Sequence, residues 1–250
     1  MNIITSSKNP LIKSIKDLSA ARGRESAKMF LVEGEVMIRE ALKCGLTLHH
    51  IIATEKRIEF ALSVSAEAVQ VTDSVMQAAC DTKTPQGVCA VFGMPEPLPI
   101  EKLPDRIVAL DGVQDPGNVG TIWRTADAAG FEAMLLGAGS ADPMSPKVQR
   151  SAMGSGFRIP ISKTSDMPAA LAKLAAAGYS IICSDLHGED FYARPDPGKK
   201  FVLVIGNEAR GISDATRAQA TMLVRLPMRG GAESLNAAVA AGIMMYELMR

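Results

Sequence analysis

Four cysteines and three histidines are the thiol and imidazole groups of this chain, and none stands at metal-ligand spacing. Cys44, Cys80, Cys89 and Cys183 form no C-x-x-C pair and lie in apolar surroundings, which is the pattern of buried free thiols, not of a zinc knuckle or a disulfide framework. His49 and His50 are adjacent, so on a strand they point to opposite faces, one at the surface and one half-buried; His187 is alone. No metal site is expected. Net charge is also lacking: 27 basic residues balance 27 acidic ones, so the globally basic character of many nucleic-acid binders is missing. No apolar run approaches the roughly 20 residues that span a bilayer. The N-terminus, Met-Asn-Ile-Ile-Thr-Ser-Ser-Lys, lacks the continuous apolar core of a signal peptide. A soluble, cytoplasmic protein without membrane contact is expected.

Three familiar catalytic signatures are missing as well. No G-x-x-x-x-G-K-[ST] occurs, which excludes a P-loop enzyme. Gly137-Ala-Gly139 follows a strand pattern, but no third glycine or opening helix completes a dinucleotide fingerprint. No G-x-S-x-G stands with a suitable histidine, so a serine hydrolase is poorly supported.

What is present is a globular chain of 250 residues, 47% hydrophobic and 22% charged, long enough for one large or two modest domains. Charge is uneven along it. Lys8, Lys13, Lys16, Arg22, Arg24 and Lys28 meet only Asp17 and Glu25 in the first thirty residues. Either a solvated helix face or a phosphate-contacting arm fits that run. Leu11, Ile15 and Leu18 stand at helical spacing, and a second short helical piece follows Gly23. Short apolar runs then predict strands at Phe30–Val32, Leu48–Ala53, Ala68–Val71 and Gly87–Phe92, alternating with helices at Glu35–Cys44, Glu55–Leu62 and from Asp73, the expected N-cap, to Cys80. This is a small α/β domain over residues 1–93. Pro95, Pro97, Pro99 and Pro104 mark residues 94–105 as a linker.

Residues 106–250 read as a second α/β domain with five or six mostly parallel strands. Strands are predicted at Ile107–Leu110, Ala133–Leu136, Tyr179–Ser184 and Phe201–Ile205, and in Leu223–Leu226 before Pro227. Helices are predicted at Val119–Ala129, Lys147–Met153, Pro168–Ala177 and Asp214–Ala220. A polar loop is expected from His187 to Lys200, and a buried Ala- and Met-rich helix opening at Glu233 or Ser234. Glycine and polar side chains gather after three strands: Pro116-Gly-Asn118 with Arg124 beyond, Gly206-Asn-Glu208 with Gly211, and Arg229-Gly-Gly231 with Ser234 and Asn236. Ligands of open α/β sheets sit at such strand ends. Arg124 is suited to a phosphate or a developing oxyanion, or else to a structural pair with an acid such as Asp127.

These same residues carry a resemblance. Asn118-Val-Gly120-Thr-Ile-Trp-Arg124 matches the first motif, N-x-G-x-x-x-R, of the SpoU (TrmH-like) RNA 2′-O-ribose methyltransferases of the SPOUT superfamily. Gly206-Asn-Glu208-Ala-Arg-Gly211-Ile-Ser213 matches the second, and Leu226-Pro-Met-Arg-Gly230-Gly-Ala-Glu-Ser234-Leu235-Asn236 the third. Lys147-Val-Gln-Arg150-Ser-Ala-Met-Gly154 resembles the segment between motifs one and two. The first domain is similar, more loosely, to the family's L30e-like substrate-binding module, through Phe30-Leu-Val-Glu-Gly34 and Gln86-Gly-Val.

The resemblance implies a deep trefoil knot in the C-terminal sheet domain, a homodimer through that domain, and S-adenosylmethionine as cofactor, with no metal. Gly206, Leu226 and Leu235 would hold the cofactor through backbone groups, and Ile205, Met228 and Gly211 would complete its slot. Arg124 is implied as the catalytic residue, by orienting the ribose hydroxyl, binding a phosphate or stabilising alkoxide; a guanidinium is a poor base because it stays protonated. Asn118 and Asn236 would fix geometry, Glu208 would orient Arg124 or a loop, and Ser234 would meet substrate. Lys8, Lys13, Arg22, Arg24, Lys147 and Arg150 would contact RNA. The implied activity is 2′-O-methylation of RNA, of 23S type before tRNA. A tRNA enzyme, a non-catalytic ribosome-assembly factor and an antibiotic self-resistance enzyme are the alternatives.

Overall fold

Parallel strands without helices to cover them would expose two apolar faces, and this chain interleaves the two throughout. The computed structural model describes residues 3–250, which divide into two compact units: one runs to Pro95 and includes Met144–Phe157, and the other comprises Glu96–Pro143 and Arg158–Arg250. Residues 144–157, which the sequence groups with the second domain, thus pack with the first.

The first unit holds helices α1 (Pro10–Asp17), α2 (Ala21–Ala27), α3 (Glu35–Lys43), α4 (Ile58–Val64) and α5 (Asp73–Ala79), with strands β1 (Met29–Glu33), β2 (Leu48–Ala53), β3 (Val69–Gln70) and β4 (Val88–Gly93). The strands form one mixed sheet in the order β1-β4-β2-β3. Ile12 and Ile15 of α1 and Val75 and Met76 of α5 bury against Leu31, Ile52, Cys89 and Val91 of the sheet. The two N-terminal helices meet closely: a Cβ on Gly23 would lie 2.0 Å from the Asp17 carbonyl oxygen, so only glycine fits. Three details differ from the sequence patterns. The N-cap of α5 is Thr72, whose side chain accepts from the Val75 N–H, and Asp73 is the first helical residue. His49 and His50 are both exposed, because the β2–β4 register slips between Leu48 and His50 and breaks the alternation. Met144–Phe157 contributes α7 (Pro146–Ala152), which ends at Met153 in the left-handed conformation, and all but the last residue of the short α8 (Ser155–Arg158).

The second unit is built on six parallel strands in the order β10-β8-β9-β5-β6-β7. They are β5 (Arg106–Asp111), β6 (Ala133–Gly137), β7 (Ile161–Thr164), β8 (Ser180–Asp190), β9 (Phe201–Gly206) and β10 (Met222–Arg225), with helices α6 (Pro116–Ala129), α9 (Met167–Ala176), α10 (Asp214–Arg217) and α11 (Ala237–Leu248). Strand β7 has no strong period in the sequence; its edge position, paired to β6 alone, explains the weak signal. Strand β8 continues to Asp190, where a polar loop is expected from His187, because Glu189 and Asp190 pair with Val224 and Arg225 of β10 after an excursion through Ser184–Gly188. Alternate residues of β5, Ile107 and Ala109, join Leu171 and Leu174 of α9 in one core layer. Successive connections run to opposite sides of β5, so the carboxyl ends of β5 and β9 form a switch point, the ordinary place for a ligand.

Candidate active site

Helix α6 starts where Asp115 caps it, its Oδ1 accepting from the Asn118 N–H at 2.9 Å, with Pro116 in the first turn. That places Asn118 in the first turn, buried, at the carboxyl end of β5. The Asn118 Nδ2 donates to Glu208 Oε1 at 2.9 Å, and its Oδ1 accepts from Asn236 Nδ2 at 2.9 Å. The Glu208 carboxylate also accepts the backbone N–H groups of Gln114 and Asp115, each at 3.1 Å. Burial pushes this carboxyl up, but the donors from Asn118, Gln114 and Asp115 outweigh it and hold it below its ordinary range. Glu208 is therefore an ionised clasp on the start of α6. Its partners within the chain are Asn118 and the loop before α6, and Arg124 of the same chain is not among them.

Asn236 is the N-cap of α11, its Oδ1 accepting from Ala238 and Val239 at 2.9 and 3.2 Å. The helix begins three to four residues later than Glu233 or Ser234 would start it, because it is the Asn236 side chain that accepts the first free N–H groups. One asparagine–asparagine–glutamate chain thereby ties the loops after β5, β9 and β10.

Behind that chain lies a cleft of about 360 Å³. Ile205, Gly206, Gly211, Leu226, Met228 and Leu235 all line it, as do Glu208, Ser234 and Asn236. The backbone loop from Asn207 to Gly211 is closed by reciprocal hydrogen bonds of 3.0 and 2.9 Å. Gly206 is packed so closely that a Cβ would lie 2.3 Å from Gly211 C and Ile212 N. The wall formed by Ser184–His187 has no counterpart in the sequence motifs. Its signal is Asp185, a charge at the end of an apolar strand: nearly buried, it accepts from Arg217 Nε at 2.8 Å.

Arg124 lies elsewhere. It is exposed on α6 and makes no hydrogen bond or ion pair with a described residue. Six residues beyond Asn118, at about 100° per residue, it is turned roughly 120° from it around the helix. Asp127 pairs instead with Arg158, at 2.8 Å from its Nε. Trp123 faces the core and donates to the Ile159 carbonyl at 3.1 Å.

In the first unit Lys8, Lys13, Arg22 and Lys147 are exposed, and Arg150 pairs weakly with Asp81 at 3.6 Å. Arg24 is different: at 3% exposure it donates from Nη1 to the carbonyls of Leu18 and Ser19, both at 2.7 Å. Its guanidinium closes the end of α1 from inside and is out of reach of a phosphate on the surface. The thiols of Cys89 and Cys183 are buried, those of Cys44 and Cys80 half-buried, and none of the four is in a disulfide.

Glycine and amide side chains surround a cleft at the carboxyl edge of a parallel sheet, the place where α/β domains of this class seat a small ligand. The chain belongs to the SpoU rRNA Methylase family, which matches residues 105–246, and an MRM3-like substrate binding domain matches residues 9–90. It is 38% identical over 251 residues to the 23S rRNA (guanosine(2553)-2′-O)-methyltransferase RlmP of Bacillus subtilis, covering 99% of both chains. The fold superimposes on the AdoMet-bound rRNA methyltransferase of Sinorhizobium meliloti with a TM-score of 0.87, at 32% identity and covering 99% and 97% of the two chains. The SpoU methyltransferase AviRb of Streptomyces viridochromogenes, in complex with AdoMet, matches with a TM-score of 0.86 at 28% identity over 97% of each chain. The fold is that of the SPOUT methyltransferases. No helix of the described residues is long and apolar enough to cross a membrane.

Proposed function

We propose that this protein transfers the methyl group of S-adenosylmethionine to a ribose 2′-hydroxyl of 23S-type ribosomal RNA in the cytoplasm. The observation that carries the reading is the chain Glu208–Asn118–Asn236, which locks the three motif loops around the cleft. When bound, the cofactor supplies a methyl group already activated as a sulfonium, so the protein needs to orient and desolvate more than to activate. The cleft fits that ligand: Gly206 and Gly211 add no side chain to its wall, and Ile205, Leu226, Met228 and Leu235 offer apolar surface for a purine. The clasped Glu208 is a poor proton acceptor, because three donors favour its charge where it stands. Arg124 is assigned to the 2′-oxygen and the neighbouring phosphate.

The placement of Arg124 favours a homodimer. On α11, Val239, Ile243 and Tyr246 are 51%, 38% and 57% exposed at a spacing of i, i+4, i+7, which is an apolar stripe open to solvent. Helix α6 packs beside α11, with Gly242 against Thr125. A second copy covering that stripe would carry each Arg124 toward the partner's cleft. The trefoil knot implied for this domain accompanies the same reading, with the C-terminal helix α11 threaded through a loop. Lys8, Lys13, Arg22, Lys147 and Arg150 would supply phosphate contacts on the first unit.

The test is transfer of labelled methyl to unmodified rRNA and tRNA transcripts. Label on ribose 2′-oxygens of 23S rRNA, lost in Arg124→Ala with thermal stability kept, supports the reading. Label on tRNA alone would move the substrate class, and cofactor binding without transfer to any RNA or preribosomal particle would favour an assembly factor. Sedimentation of the protein at micromolar concentration tests the dimer.

A further inference from the structure

Three arginines line the cleft: one is ion-paired, one is held by a backbone carbonyl and one has no partner among the described residues. Arg217 donates to Asp185 Oδ2 from Nε at 2.8 Å and Nη2 at 2.6 Å, and to Asp214 Oδ1 at 3.0 Å. Arg225 donates from Nε to the Gly188 carbonyl at 3.0 Å. The third, Arg210, is exposed, and its guanidinium has no partner among the described residues.

Its backbone is nevertheless fixed. Asn207 Oδ1 accepts the N–H groups of Ala209 and Arg210 at 3.0 and 3.1 Å, while Asn207 Nδ2 donates to the Gly112 carbonyl at 2.8 Å. The same loop carries Glu208, which is clasped to α6 two residues earlier. A held backbone presenting an unheld cation at the lip of a cleft is a contact awaiting an anion.

We infer that Arg210 contacts a backbone phosphate of the RNA beside the target nucleotide, an assignment that rests on the methyltransferase reading above. Two anions could reach this place: the carboxylate of the cofactor and the phosphates of the RNA. A fully solvated guanidinium gains little from one carboxylate, since water screens the pair. A polyanion differs, because each phosphate it neutralises releases a condensed counterion. The net charge of zero sharpens this: there is no global field to hold RNA, so individual exposed cations must do so, and Arg210 is one that stands at the cleft. Arg210 is thus a substrate-positioning residue, acting on RNA affinity and register and not on cofactor binding.

The experiment compares the full-length protein with Arg210→Ala and Arg210→Lys. S-adenosylmethionine binding is measured by calorimetry, and methyl transfer to an unmodified 23S rRNA transcript at several salt concentrations. For Arg210→Ala the expected result is an unchanged cofactor Kd and an RNA KM raised about tenfold, with kcat at saturating RNA much less affected. The plot of log affinity against log salt should become shallower by about 0.7, the value of one phosphate on a single strand. Arg210→Lys should keep the salt slope and recover part of the KM, since it keeps the charge but loses the planar fork. A weakened cofactor Kd with RNA KM intact would overturn the assignment in favour of the carboxylate. Wild-type KM and slope in Arg210→Ala would overturn it outright. Filter retention of the same RNA reads the slope even if the wild type transfers no methyl, so failure of the methyltransferase reading is a separate result.

Discussion

Glu208 Oε1 and Asn118 Nδ2 stand 2.9 Å apart although 90 residues of chain separate them. Every further partner of that carboxylate is a donor: the N–H of Gln114 and of Asp115. Replacing Glu208 by Gln turns an amide NH₂ toward one of these donors. The expected result is a loss of methyl transfer of about 100-fold through misplacement of Asn118 and the loop beside it. The stability cost should be only about 1 kcal/mol, because the carboxylate is partly solvated. Steady-state rates set beside urea unfolding separate the two; an active Glu208→Gln would remove the clasp from the mechanism.

The same carboxylate sets a pH dependence. Its folded form binds the charged state, so its acid strength is increased relative to the unfolded chain. The contribution is then fully present above the unfolded value of about 4.3 and is lost as pH falls through the lower folded value. Melting temperatures of wild type and Glu208→Ala should differ by a constant amount above about pH 5 and converge progressively as pH falls through the lower folded value. A difference that grew on acidification would contradict the sign.

Asn236 has two tasks on one side chain, and substitutions divide them. Asn236→Asp keeps the acceptor for Ala238 and Val239 but removes the Nδ2 that donates to Asn118. It should fold with nearly wild-type stability and lose activity. Asn236→Ala loses both and should in addition cost about 1 kcal/mol in capping, a few degrees of melting temperature. Equal melting temperatures for the two variants would show that Asn236 does not cap α11 in solution.

Gly206 and Gly230 should respond oppositely to alanine. A Cβ on Gly206 would stand 2.3 Å from the Gly211 and Ile212 backbone, whereas one on Gly230 meets nothing within 4 Å. Gly206→Ala should abolish cofactor binding and destabilise by about 2–3 kcal/mol. Gly230→Ala should leave stability unchanged or slightly raised, because it restrains only the unfolded chain. Calorimetric binding and thermal melts of both variants decide this.

The buried thiols should be inert. Burial pushes Cys183 up to about 12, and contact with Cys80, then burial, raises Cys89 further from its thiolate. Iodoacetamide at pH 8 should label half-buried Cys44 and Cys80 well before either, as read by mass spectrometry of peptides. Rapid labelling of Cys183 would mean that the β8–β9 core opens.

Most strand and helix positions were legible because their signals are local. Ile107–Leu110 is a short apolar run and lies within β5, and Gly130 follows an apolar helix and ends it in the left-handed conformation. The misses came where a long-range partner decides. Edge strand β7 is short and weakly patterned, and β8 extends to Asp190 only because β10 pairs with it. Arg24 reads as one more cation in a basic run, yet the carbonyls at the end of α1 draw it inside.

The sequence by itself determined the alternation of helices and strands, the glycines that turn each strand-end loop, and the polar residues those loops carry. These are set by side chain and backbone preferences over a few neighbours. Only the tertiary structure decided which polar residues meet. Glu208 clasps Asn118 and the start of α6, while Arg124 is turned out on the same helix and Arg210 is left without a partner. Those outcomes depend on strand order and on hydrogen bonds across some 90 to 118 residues, distances at which local pattern carries no geometry.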